Sequence, residues 1–320
     1  MTDEGYDIIG DVHGTAGKLE QLLSVMGYSD DGGAWKHPTR RAVFVGDFID
    51  RGPRQLDAVG IPRAMVEAGS ALAVIGNHEF NAASLATKDR SGEWNRRHSE
   101  RNLEQSSAFL DVAPLGSADH AEIIEWFMTL PLWLDLDGIQ IVHACWHPQS
   151  MAVLEPILST TGSMTHDFLI ESNVAGSAPF DAMEVVLKGP EAHLDGYRYA
   201  DKDGHERTWG RVTWWDAEAT TLATGIRLSK DWQIYDPEGQ PVDRLPETPL
   251  PDWLRHLTPT DANRTPVCFG HYWFREEDGL EVIDGKAACV DFSAVKGGPL
   301  VAYRWSGESE LTSDNIVGAG

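Results

Sequence analysis

Within residues 6–80 this chain repeats one construction three times: a short apolar run, a glycine, then a side chain with a metal-capable oxygen. Ile8-Ile9 lead into Gly10-Asp11-Val12-His13-Gly14. Ala42-Val43-Phe44-Val45 lead into Gly46-Asp47-Phe48-Ile49-Asp50-Arg51-Gly52. Leu72-Ala73-Val74-Ile75 lead into Gly76-Asn77-His78-Glu79. A buried strand holds the residue at its carboxyl edge rigidly and turns it towards a crevice, where open α/β sheets bind ligands. Two later apolar runs end in histidine, Ile139-Gln140-Ile141-Val142-His143 and Val267-Cys268-Phe269-Gly270-His271. Aligned strand ends from one sheet system would gather Asp11, His13, Asp47, Asn77, His143 and His271.

The segments between these runs read as helices. Leu19, Leu22, Leu23 and Met26 recur at helical spacing, and Gly27 suits the helix end. Residues 53–69 form a second candidate helix, which Pro62 is expected to kink or split. Strands alternating with helices predict βαβ units with right-handed crossovers. A further helix is expected from Asp119 to Leu130, with Asp119 as its cap. Leu132–Asp135 and 139–143 read as a hairpin about Asp137-Gly138, and 267–270, 287–292 and 300–305 as closing strands.

The three ordered motifs, GD-x-HG, GD-x-x-DRG and GNHE, followed by two isolated histidines, resemble those of the calcineurin-like metallophosphoesterases. The similarity is to their phosphoprotein phosphatase branch, to which the symmetrical diadenosine tetraphosphatases are related. The resemblance covers residues 6–80 and resumes near 123–147 and 265–304. It implies an α/β fold of two packed mixed β-sheets flanked by helices, with a dinuclear metal site at the strand ends. By that resemblance Asp11 and His13 complete one metal with a bridging Asp47, while Asn77, His143 and His271 complete the other. It also implies hydrolysis by in-line attack of a metal-bound hydroxide, with His78 protonating the leaving oxygen, Asp50 orienting His78, and Arg51, with Asn77, binding phosphate. A second phosphate-binding arginine is expected between the two late histidines; Arg207 and Arg211 are the candidates, with Arg198 a third. Mixed nitrogen and oxygen ligands without thiolate suit two divalent ions such as Mn²⁺, Fe or Zn²⁺ better than Ca²⁺. The chemistry calls for such ions, because two of them can activate water and neutralise the phosphoryl oxygens together.

The chain of 320 residues is read as one catalytic domain with insertions at about 80–118 and 148–265. Its net charge of −24 argues against a long nucleic-acid partner, which would need clustered Lys and Arg. No apolar run is long enough to cross a membrane, and the acidic start does not read as a signal peptide. Cys145, Cys268 and Cys289 are widely spaced in apolar runs, which fits a reducing, cytoplasmic setting better than a disulfide framework. Lys88, Arg90, Arg96, Arg97, His98 and Arg101 make a local basic patch, read either as a solvated face or as a flap beside the metals. Asp201-Lys202-Asp203-Gly204-His205 reads as a turn that lacks the later ligands of a calcium loop, and Asn263-Arg264-Thr265 matches a glycosylation acceptor without a secretory context.

The expected partner is a phosphorylated substrate: a phosphoprotein, a small phosphate ester or a nucleotide. The leading expectation is a phosphomonoesterase. The alternative is a dinucleoside polyphosphate hydrolase, cleaving a phosphoanhydride by the same attack. A non-catalytic binding protein of the same fold is the third reading; the intact His78, Asp50 and Arg51 argue against it.

Overall fold

In the computed structural model, the residues described are 5–200, 205–229, 232–255, 257, 264–275, 280, 282, 283 and 285–320. They fall into two compact units, Met1–Leu187 with Thr265–Gly320, and Lys188–Arg264. The calcium-like segment at 201–204 and the acceptor Asn263 lie outside the described residues.

The first unit begins with β1 (Tyr6–Ile9), α1 (Ala16–Met26), β2 (Arg41–Phe44), α2 (Gln55–Glu67), β3 (Ala71–Ala73) and α3 (Asn77–Ala86). It continues with α4 (Ala118–Thr129), β4 (Trp133–Leu136) and β5 (Ile139–Val142), then β6 (Val267–Phe269), β7 (Ala287–Cys289), β8 (Leu300–Trp305) and β9 (Ile316–Ala319). One sheet has the order β9-β8-β1-β2-β3, and the other β7-β6-β5-β4. β1, β2 and β3 are parallel, in the register Ile9 opposite Phe44 and Phe44 opposite Ala73. β5, β6 and β7 are also parallel, while β8 and β4 run antiparallel to their neighbours. Both sheets are therefore mixed, as the resemblance implied.

The sheets pack face to face. Ile8, Val43, Val45 and Val74 from the first meet Ile139, Ile141, Cys268, Ala288 and Val290 from the second in one buried cluster. Strands buried on both faces carry near-continuous apolar runs, so no alternation was present to read. The parallel strands of both sheets point their carboxyl ends the same way along this core, which puts the five motif loops at one edge.

Two local expectations change. α2 runs as one helix through Pro62, which is buried, so the proline does not split it. α4 is capped by Ser117, whose hydroxyl accepts the His120 N–H at 3.2 Å, and not by Asp119, which lies in the first turn where its charge suits the helix dipole. Gly27 ends α1 in the left-handed conformation, as its position predicts.

In the second unit, Glu191–His193 pairs with Trp209–Arg211, and Arg198–Ala200 pairs with Glu206–Arg207 and Ile234–Tyr235. Trp214 and Trp215 are buried edge to face, and Trp232 stacks on Tyr199 at 5.0 Å, so all three tryptophans are packing residues. Among the described residues no helix is long and apolar enough to cross a membrane. The three cysteines are free and buried.

Candidate active site

The five loops at the sheet edge converge on Asp47. It follows β2 and is 1% exposed. Its Oδ2 lies 3.4 Å from His13 Nε2 and 4.0 Å from His78 Nε2, while its Oδ1 lies 3.5 Å from His143 Nε2. One carboxylate thus presents an oxygen to each of two clusters: His13, Asp47 and His78, and Asp47, His143 and His271. The potential ligand atoms within each cluster all lie within 4.8 Å of one another. Asp11 stands beside the second cluster, its Oδ2 accepting the His271 N–H at 3.1 Å. The resemblance puts it on one metal with His13; the third potential ligand within 4.8 Å of the others in the His13 group is His78.

The imidazoles are oriented by backbone carbonyls. His13 Nδ1 lies 2.8 Å from Ile49 O, and His143 Nδ1 lies 2.8 Å from Val45 O. A carbonyl can only accept, so each Nδ1 carries the proton and each Nε2 turns a lone pair into the site. The His143 Nε2 lone pair faces the Asn77 Oδ1 at 3.1 Å as well as Asp47 Oδ1. Three acceptors converging on one point are reconciled by a shared cation or an extra proton. The donor set of imidazole nitrogens, carboxylates and one amide oxygen, with no cysteine sulfur in either group, fits divalent metal ions.

Charge is balanced closely here. Burial pushes the Asp11 carboxyl up, and Asp291 and Asp47 push it further. Burial would also raise Asp47, but His143, His78 and His13 hold it well below the usual carboxylate range. Burial and the Arg51 charge lower the His13 pKa, against the opposing pull of Asp47. For His78 burial opposes the charged form, yet Asp47 and the hydrogen bond to Asp50 raise it above an ordinary histidine. That bond, His78 Nδ1 to Asp50 Oδ2, is 2.5 Å long. The Arg51 guanidinium donates to His13 Nε2 and to His78 Nε2, each at 3.1 Å.

Loop shape is set by buried polar groups. The Glu79 carboxylate accepts the N–H groups of Asp47, Phe48 and Gly76 at 2.8–3.0 Å and that of Ile49 at 3.3 Å. Burial and Asp47 push it up to about 7. Gln55 accepts the Asp50 N–H at 2.7 Å and so fixes the partner of His78. Two glycines are required by close approach: a Cβ on Gly76 would overlap Asp47 Oδ1, and one on Gly270 would overlap Asp11 Oδ1. Backbone strain concentrates at the same place. Of the eight non-glycine residues with positive φ among those described, only Asp195 lies outside these loops; the others are His13, Asp47, Asp50, Arg51, His271, Trp273 and Ser293.

All the residues expected at the metals and at catalysis come together within the first unit, and the candidates for the second arginine belong to the other unit. Arg207 and Arg211 sit on strands of the other unit, and Arg198 pairs there with Glu206 at 3.1 Å. His147 is occupied at the start of its own helix, its Nδ1 2.7 Å from the Ser150 hydroxyl. The basic patch is anchored at the carboxyl end of α3, through Asn95 and Arg96 N–H groups to Thr87 O and Ser84 O, whereas His78 is at the amino end. Arg90 is spent on Asp167 at 3.3 Å and Arg96 donates to Gln105 at 3.1 Å. The sequence reading missed Asp291, a buried carboxylate that accepts the Trp273 and Ser293 N–H groups at 2.8 and 3.0 Å. Its signal was present in part: an acid directly after the apolar run of β7, as at Asp11 and Asp47 but without the intervening glycine.

The family model for calcineurin-like phosphoesterases matches residues 6–163. The asymmetrical bis(5'-nucleosyl)-tetraphosphatase PrpE of Halalkalibacterium halodurans is 43% identical over 56% of this chain and 70% of its own length. The symmetrical bis(5'-nucleosyl)-tetraphosphatase of Ralstonia nicotianae is 30% identical over 92% of this chain and 87% of its own. The chain spans only 65% of the length of another asymmetrical relative, that of Oceanobacillus iheyensis, at 29% identity. A solved protein serine/threonine phosphatase of Saccharomyces cerevisiae shares the fold, with a TM-score of 0.52 at 13% identity over 99% of this chain and 79% of its own. With its three motifs, its two facing mixed sheets and the paired ligand clusters on Asp47, the chain belongs to the calcineurin-like phosphoesterases, metal-dependent hydrolases of phosphoric esters.

Proposed function

We propose that this protein hydrolyses the phosphoanhydride chain of dinucleoside polyphosphates at a two-metal site, most simply two Mn²⁺ ions. The observation that carries the site is the Asp47 carboxylate, with one oxygen turned to each ligand cluster. Support for an anhydride over a monoester comes from the relatives, which carry tetraphosphatase names at up to 92% coverage of this chain. His13, Asp47 and Asp11 would hold one cation, and Asp47, Asn77, His143 and His271 the other. When bound, the pair supplies Lewis acidity towards the phosphoryl oxygens and the attacking water.

The chain's own groups do the rest. The water oxygen forms the new P–O bond as the bridging P–O bond breaks, and His78, held by Asp50, gives its Nε2 proton to the departing oxygen. A protonated Nε2 cannot accept from Arg51, and His13 Nε2 has one lone pair to give. Arg51 therefore leaves both imidazoles as the site loads and turns its planar fork to the phosphate. The three buried free thiols support a reducing compartment.

The His78–Asp50 pair favours a second reading. A phosphate leaving group needs little protonation, whereas the alkoxide of a phosphoserine needs much, so an ordered acid suits a phosphomonoesterase as well. One experiment separates the two: kcat/KM of the Mn²⁺-loaded protein on diadenosine tetraphosphate and on a phosphoserine peptide, with Asp47→Asn as the blank. Preference for the dinucleotide supports the anhydride reading; preference for the peptide overturns it.

A further inference from the structure

Arg51 has a second neighbour. Its guanidinium carbon lies 4.2 Å from the ring centroid of Trp273. The ammonium of Lys296 lies 3.2 Å from the same centroid. One indole therefore carries two cations, within about 7 Å of each other by the two centroid distances. Asp291 helps to hold the backbone on either side of this arrangement. One of its oxygens takes the N–H of Trp273, which has a φ of 50°, and the other takes that of Ser293, with a φ of 58°. Ser293 opens the short 3₁₀ turn Ala294–Lys296. A single buried carboxylate thus fixes both the ring and the turn that places Lys296 on it. A left-handed tryptophan is a strained backbone position, of the kind that clusters at ligand clamps.

Charge gives the arrangement its meaning. The chain's net charge of −24 repels a polyanion, so an exposed cation beside the site discriminates among anions. Arg51 can serve one phosphoryl group, and a monoester offers no other. An anhydride offers a second phosphoryl group next to the first, and the basic patch at the far end of α3 is poorly placed to meet it. We propose that Lys296, seated on Trp273 beside Arg51, binds the second phosphoryl group of a polyphosphate substrate, so that the site reads two neighbouring phosphates instead of one. This rests on the dinucleotide reading above. Trp273 is then a positioning residue, acting through both cations.

The test uses the Mn²⁺-loaded chain and its Lys296→Gln variant. Two quantities are measured: kcat/KM on diadenosine tetraphosphate and on p-nitrophenyl phosphate, and calorimetric affinity for inorganic tripolyphosphate and orthophosphate. The variant should lose about tenfold on the dinucleotide, chiefly in KM, and about tenfold in tripolyphosphate affinity. Hydrolysis of the aryl phosphate and orthophosphate affinity should stay within about twofold, and Lys296→Arg should restore the losses. Equal losses on both members of each pair, or no loss on either, overturn the proposal. If the wild-type protein cleaves only the aryl phosphate, the dinucleotide reading fails by itself, and the tripolyphosphate-to-orthophosphate ratio still decides the role of Lys296. Trp273→Ala should lower kcat on both substrates by releasing Arg51, and Trp273→Phe should recover it; a kcat unchanged in Trp273→Ala removes the positioning role.

Discussion

At the scale of single residues the proposed function separates groups that would hold cations from groups that would handle protons. Asp47 faces both clusters, so Asp47→Asn should lose metal content and turnover together, read by metal analysis and by kinetics on the same preparation. His78 reaches Asp47 at only 4.0 Å and is committed to Asp50 through Nδ1. His78→Asn should keep most of the metal and lose turnover by about 10²–10⁴-fold on poor leaving groups, and less on p-nitrophenyl phosphate. An equal loss on good and poor leaving groups would remove His78 from the acid role. Asp50→Asn should follow His78→Asn in direction, because an amide cannot stabilise the charged ring as a carboxylate does.

At the scale of elements, two buried groups make opposite contributions. Glu79 opens α3, yet its carboxylate closes the β2 loop by accepting four N–H groups. Glu79→Ala would leave those donors buried and unpaired, at about 1–3 kcal/mol for the group, and should lower both the melting temperature and metal occupancy. His120 in α4 is 2% exposed, lies against Phe109, and its Nε2 has no hydrogen-bond partner among the described residues. Burial lowers its pKa, so folding is favoured where the ring is neutral. That contribution is fully present above the unfolded value near 6.5 and is lost as pH falls below it towards the folded pKa, with a slope of at most about 1.4 kcal/mol per pH unit. Comparing the melting temperatures of wild type and His120→Phe at pH 7.5 and pH 5.5 checks it: the variant should lose less on acidification.

How far the elements could be read from the sequence depended on what each residue had to satisfy locally. Strand ends were legible because a ligand follows each apolar run, after a glycine in every case but His143, and the ligands themselves landed together. The cap of α4 was not, since Ser117 and Asp119 are both good capping residues and only the backbone register decides between them. The unbroken α2 could not be foreseen, because propensity opposes Pro62 and its burial overrides propensity. Trp273 and Lys296 are 23 residues apart, and the hydrogen bond from the Trp273 N–H to Asp291 that helps link their segments is a long-range contact that no local pattern announces.

At the scale of the molecule, a second buried ionic centre lies on β1 itself. Asp7, fully buried, pairs with Arg40 at 2.8 Å and Arg304 at 3.0 Å, and accepts from the Tyr28 hydroxyl at 3.0 Å. Arg40 also donates to the carbonyls of Tyr6 and Trp305, which tie β1 to β8. Removing the acid strands two guanidinium groups, so Asp7→Ala should cost about 3–5 kcal/mol in chemical denaturation while leaving kcat of the folded fraction unchanged.

The ligand clusters draw on both sheets. His13, Asp47 and Asn77 come from loops of the β1-β2-β3 sheet, and His143 and His271 from the facing β5-β6 pair. Among the described residues, apolar contact and loop hydrogen bonds such as His143 to Val45 O and His271 N–H to Asp11 also join the two layers at this edge. A cation shared by Asp47 and His143 is therefore a rivet through both plates. At a hundredfold excess over its dissociation constant it would add about 2.7 kcal/mol to the folded state. Chelation should accordingly lower the melting temperature by several degrees, and Asp47→Asn should be insensitive to the chelator. The atoms proposed to ready a phosphate for cleavage would thereby also decide how firmly the two halves of the sandwich stay shut.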